Sequence, residues 1–154
     1  GPEKSRFCLE IGADDVIDHH SDDITRSAKE LTNGRGVDLI FDPVGGRPGR
    51  AAFKAIAFEG RFVVIGFASG EWARVNVSDT LLGNVSLIGA MPTGFSPGFY
   101  VDAHRDLMEY WNDGKLKVVG NQVFEFEGGS KAIQHIASGK VEGKVVVRVS
   151  TTGA

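Results

Sequence analysis

Apolar positions along this 154-residue chain repeat at two spacings, and the spacing switches several times. Between Glu3 and Ile11, Phe7 and Ile11 fall one helical turn apart and Gly12 follows, which predicts a helix closed by glycine. Asp15-Val16-Ile17-Asp18 predicts a short strand. Ser21 then stands as an N-cap, with Asp22 and Asp23 in a first turn where negative charge suits the helix dipole. Ile24, Ala28 and Leu31 share one face of that helix, and Asn33-Gly34 ends it. Val37 to Phe41 is a mostly apolar run of strand length. Gly45-Gly46 turns the chain and Pro48 suits a helix start, with Ala52, Ala55, Ile56 and Phe58 as its packing stripe. Arg61 to Ile65 predicts a further strand that ends at Gly66.

Strands this apolar imply a sheet covered on both faces. Their alternation with helices of about ten residues predicts right-handed βαβ units in a parallel sheet. Beyond Gly66 the rhythm changes. Residues 67–79 read as irregular, Asp79 to Leu82 as the start of a short helix, and Asn84 to Ala90 as another strand. Pro92, Gly94, Pro97 and Gly98 punctuate a loop. A longer helix is expected from Tyr100 to Asn112, with Val101, Met108 and Trp111 facing inward and Gly114 closing it. Val118 to Phe126 and Lys144 to Val149 read as strands flanking a helix from Ser130 to Ser138. There is no internal repeat and no obvious linker.

Composition narrows the function classes. A hydrophobic fraction of 42% and a charged fraction of 24% are those of an ordinary globular protein. Net charge is −3 with the basic residues dispersed, so no basic stripe points to nucleic acid or an anionic membrane. No apolar run approaches the roughly 20 residues of a membrane span. The single cysteine, Cys8, excludes an internal disulfide and a cysteine-rich zinc site, and suits a cytoplasmic setting. His19-His20 with Asp22-Asp23 could suggest a metal. Adjacent histidines on a strand point apart, however, and no third ligand follows at helical spacing, so the reading is a surface cluster and no metal. No Ser–His–Asp arrangement is arguable from spacing. His104 and His135 read as surface or core-edge residues, Met108 and Trp111 as core, and no catalytic side chain is assigned.

Four segments stand in order at natural spacing: Gly12-Ala13-Asp14-Asp15-Val16-Ile17-Asp18; residues 34–46, ending Asp42-Pro43-Val44-Gly45-Gly46; residues 60–70, ending Gly66-Phe67-Ala68-Ser69-Gly70; and Gly139-Lys140-Val141-Glu142-Gly143 with the apolar run after it. Together they resemble the zinc-free quinone oxidoreductase branch of the medium-chain dehydrogenase/reductase superfamily, over essentially the whole chain. The resemblance implies an α/β fold, a Rossmann-like doubly wound parallel sheet that is incomplete here. The family's first strand–turn–helix, which seats the pyrophosphate on a helix N-terminus, has no counterpart in these residues. Residues 1–116 would form part of an NADP(H)-binding domain, and 117–154 would return to the substrate domain. Without its central neighbour, the strand at Asp15 would lose its pairing, and the chain alone would expose apolar sheet edges and bind NADP(H) weakly or not at all.

The resemblance also implies roles for residues. Lys4 matches a position that contacts the adenosine 2′-phosphate, where a flexible point charge suits a dianion; its bland alternative is an exposed lysine of a first helical turn. His19 matches a position beside the adenine ribose or phosphate, against a plain exposed histidine after a strand. Pro43, Val44 and Gly45 would pack along the nicotinamide ribose, and Gly66, Phe67, Ala68 and Ser69 would border the nicotinamide itself, both at strand carboxyl ends where open α/β sheets bind ligands. Each could instead be a turn that needs glycine. Lys140 matches a basic position able to reach the 2′-phosphate, or is a solvated turn lysine. The implied activity is NADPH-dependent reduction of a quinone or enone by hydride transfer, with homodimerisation through the edge strand at Val85 to Ala90. The alternatives are an enoyl-thioester reductase or zinc alcohol dehydrogenase of the same superfamily, or a cofactor-binding scaffold without turnover.

Overall fold

A computed structural model describes residues 1–117, 119–120 and 122–149 of the chain. Contacts divide it into two compact units, 1–94 and 95–154.

The first unit opens with helix α1 (Pro2–Glu10) and helix α2 (Ile24–Leu31). Strand β1 (Val37–Asp42), helix α3 (Gly46–Phe53), strand β2 (Ile56–Val64), helix α4 (Val77–Gly83) and strand β3 (Ser86–Gly89) follow. The three strands form one parallel sheet in the order β1-β2-β3. α3 packs on both β1 and β2, α2 packs on α3, and α4 packs on β2. The α/β architecture with parallel strands is the expected one.

The core is small and centred on β2. Phe62 is fully buried between Ile40 of β1 and Leu87 of β3 in the ladder, and meets the edge of Phe53 at 5.5 Å. Phe53, Ala55, Ala57 and Ala28 complete it. Thr25 of α2 donates its hydroxyl to the carbonyl of Ala51 at 2.8 Å, joining the two helices. The outer parts of the sheet are open: Leu39 and Phe41 of β1 are both more than half exposed, in line with an incomplete sheet.

Several local expectations change. α2 is capped by Asp23, which accepts the Arg26 amide at 2.8 Å, and not by Ser21. Ser21 and Asp22 instead close a turn on the Asp18 carbonyl. Residues 15–18 form no strand, because no described strand lies alongside to pair with them. The helix after Gly45-Gly46 stops at Phe53, so Ile56 and Phe58 belong to β2 and not to a helical stripe. β2 starts early because it carries a bulge: Val37 pairs Ile56 but Leu39 pairs Arg61, and Glu59 takes a left-handed φ of 61° within the gap.

The second unit holds helix α5 (Pro97–Asn112), strand β4 (Gln122–Glu125), helix α6 (Gly129–Ala137) and strand β5 (Val145–Arg148). β4 and β5 pair in parallel, with α6 packed on both. Ser96 caps α5 and Pro97 opens it, one turn earlier than expected. None of Val101, Met108 and Trp111 is buried, against their expected inward placement, since α5 buries no residue at all. The expected strand from Val118 is observed from Gln122; Val118 and Asn121 lie outside the described residues.

Candidate functional site

The most constrained part of the chain lies where β1 and β2 end. Both strands run the same way, so their carboxyl ends open side by side, and each exits into a glycine-containing loop. The loops are stitched together by backbone hydrogen bonds. Ile65 and Gly66 donate to the Asp42 carbonyl at 2.9 and 3.3 Å, Ala68 to Pro43 at 3.0 Å, and Ser69 to Val44 at 2.9 Å. Pro43, Val44 and Gly45 are thereby brought together with Gly66, Phe67, Ala68 and Ser69, so the two expected segments form one continuous backbone surface.

Asp42 organises this surface. Its side chain is 5% exposed, and Oδ1 accepts the amides of Val44 at 3.0 Å and Gly45 at 2.9 Å, which bends the chain into α3. Oδ2 packs against Gly49, where any Cβ would collide with it, and has no hydrogen-bond partner. Gly45 caps α3 with φ 69° and ψ −153°, a conformation that glycine alone adopts readily. A Cβ there would also strike the carbonyl oxygen of Glu71, so the close approach of the two loops depends on glycine. Sequence reading placed the glycines but missed Asp42; its position as the last residue of an apolar strand before Pro-Val-Gly-Gly was the available signal.

A cavity of about 430 Å³ lies between the starts of α2 and α3, lined by His19, Asp22, Asp23, Ile24, Arg47, Pro48 and Ala51. The lining residues come from the starts of both helices and from the turn before α2. The two carboxylates on its wall are already engaged: Asp23 caps α2, and Asp22 accepts the Asp18 amide at 3.1 Å. Arg47 is exposed and makes no ion pair with a described residue. It was not singled out from sequence, although it directly follows Gly45-Gly46. Lys4 lies exposed on α1 and is not among the residues lining this cavity. Lys140 is exposed in the turn after α6, where its amide donates to Ser138 Oγ at 3.3 Å; it belongs to the second unit.

His19 and His20 do not point apart. They occupy a turn and not a strand, and their rings lie 4.0 Å apart at centroid. With Asp18 they offer ligand atoms within 4.8 Å of one another. The Asp18 carboxyl is held below the usual carboxylate range, chiefly by the His20 amide, which it accepts at 3.1 Å. Three neighbouring residues of one exposed turn do not make the closed four-ligand set of a structural zinc site, nor the dry open site of a catalytic one. Cys8 is half-buried in α1 and joins no such group among the described residues. No helix among the described residues is long and apolar enough to cross a membrane.

Residues 11–147 match a protein-family model described as zinc-binding dehydrogenase. Among curated proteins, the chain is 34% identical over 151 residues to the quinone oxidoreductase-like protein 2 homolog of Nematostella vectensis, covering 94% of this chain and 41% of that protein. It is 30% identical over 148 residues to quinone oxidoreductase-like protein 2 of Bos taurus, covering 94% and 42%. The fold superposes on Escherichia coli quinone oxidoreductase complexed with NADPH with a TM-score of 0.85 at 21% identity, over 97% of this chain and 47% of that one. The chain thus spans less than half the length of the relatives it matches.

Proposed function

The chain belongs to the zinc-binding dehydrogenase family, within the medium-chain dehydrogenase/reductase superfamily, and from that premise we propose that it is part of an NADPH-dependent oxidoreductase reducing quinones or activated alkenes. The observation that carries this reading is the hydrogen-bonded pairing of residues 42–44 with residues 65–69 at the carboxyl ends of two adjacent parallel strands. Bound there, NADPH supplies the hydride. The chain's own residues bind and orient. Pro43, Val44 and Gly45 pack along the nicotinamide ribose, and the backbone of Gly66 to Ser69 fixes which ring face is presented. At the adenosine end, Lys4 and His19 would meet the 2′-phosphate and ribose, with Arg47 adding a cation across the cavity from His19. The zinc of the family's description finds no fitting donor set among the described residues.

The test is NADPH oxidation by the full-length natural protein with 2-methyl-1,4-naphthoquinone as acceptor. Quinone-dependent loss of absorbance at the reduced-nicotinamide band is expected. Tight NADPH binding without turnover would favour the scaffold reading, and turnover only with an enoyl thioester would favour a reductase of that class.

The protein is further proposed to form a homodimer through β3, the edge strand of the sheet, where Leu87 and Ile88 are exposed. Leu87→Lys is expected to convert a dimeric mass to a monomeric one by light scattering. A wild-type monomer, or a dimer indifferent to the substitution, would overturn this.

A further inference from the structure

The loop leaving β2 carries two large aromatic side chains at the ligand end of the sheet, and they stack on each other in water. Phe67 and Trp72 have ring centroids 4.3 Å apart, tilted by 36°, yet Phe67 is 48% and Trp72 56% exposed. Exposed apolar residues are common in this chain, so exposure alone says nothing. Three further observations single this pair out.

First, hydrogen bonds within the loop set its path between the two rings. Gly70 donates its amide to the Phe67 carbonyl at 2.8 Å, closing a tight turn. Ser69 Oγ donates to the Glu71 carbonyl at 3.1 Å and accepts the Glu71 amide, which fixes the step before Trp72. Second, the same loop is bound to residues 42–44 by the four backbone hydrogen bonds already described, so the rings stand on the surface proposed to hold the nicotinamide. Third, the facing turn approaches this loop beside Trp72: Gly45 is buried, and a Cβ on it would strike the Glu71 carbonyl oxygen.

We propose that Phe67 and Trp72 form a stacking platform for a flat, electron-poor ring of the substrate, so that the site favours fused-ring quinones over acyclic enones. This rests on the oxidoreductase reading given above. The physical basis is that an aromatic pair offers a face to an electron-poor ring in offset or tilted geometry, with a gain beyond simple area burial. Filling the platform also removes apolar surface from water that the loop otherwise exposes.

Quinones quench indole fluorescence on contact, which permits a direct test on this chain without turnover. Trp111→Phe leaves Trp72 as the sole tryptophan of the two. Titration with 2-methyl-1,4-naphthoquinone is expected to give saturable quenching. Phe67→Leu should raise the dissociation constant about three- to tenfold, the range of one aromatic pair, while Phe67→Tyr restores it. Circular dichroism of each variant checks that the fold is retained. Unsaturable quenching at the collisional rate of N-acetyltryptophanamide would overturn the proposal. So would equal losses for the leucine and tyrosine variants, or saturation by nicotinamide mononucleotide but not by the quinone, which would assign the rings to the cofactor. NADPH oxidation is not read here, so failure of the platform and failure of the oxidoreductase reading are told apart.

Discussion

Phe62→Ala is expected to cost about 3–5 kcal/mol of folding stability, the usual range for emptying a fully buried phenylalanine site. That is a large part of the roughly 5–15 kcal/mol that holds a domain together. Phe62 has no exposed surface, sits near the carboxyl end of the central strand of a three-stranded sheet, and meets Phe53 edge-on. Its ladder partners Ile40 and Leu87 are held in the sheet by backbone hydrogen bonds, so relaxation into the void recovers little. The denaturant midpoint by circular dichroism should fall sharply, and Phe62→Leu should lose less. A shift equivalent to under about 1 kcal/mol for the alanine variant would mean that the core is not centred on β2.

The second large effect is expected at Gly45. Alanine there must adopt a φ of 69° with ψ −153°, which costs about 1–3 kcal/mol for the backbone alone. It must also push the Glu71 carbonyl away, which pulls the 65–69 loop off residues 42–44. Both stability and cofactor binding should suffer, with the dissociation constant for NADPH rising about tenfold or more, equivalent to about 1.4 kcal/mol. Gly70→Ala is the control. Its φ of 84° is also left-handed, but a Cβ there meets nothing within 4 Å, so only about 1–2 kcal/mol of strain is expected. Calorimetric unfolding and NADPH fluorescence titration of both variants in the full-length natural protein measure the contrast. Equal effects at the two glycines would show that the close approach of the loops does not matter.

These two residues illustrate what was and was not legible in the chain. Apart from the strand expected at 15–18 and the helical stripe expected at Ile56 and Phe58, the strand–helix alternation up to Ile65 could be read because apolar runs of strand length differ visibly from helical spacing, and glycines mark where each run stops. The glycine turns at 45–46 and 66–70 were legible for the same reason. The partnership of Asp42 with the amides it accepts was not, because a lone aspartate after an apolar run carries no periodic signal. The histidine pair was misread for a related reason. Its geometry follows from a turn that closes on the Asp18 carbonyl, and turn closure depends on which neighbours leave the backbone without a strand partner.

Sequence by itself thus determined the class of fold, the order of the elements from Ile24 onward and the family resemblance, all of which rest on local patterns of apolarity and glycine. Tertiary structure alone decided which segments meet. It joined residues 42–44 to 65–69, opened a cavity between His19 and Arg47, bent β2 through a bulge, and stacked Phe67 on Trp72. Each of these depends on contacts between residues distant in sequence or on a turn's exact dihedrals, and neither leaves a trace in the spacing of hydrophobic and polar positions.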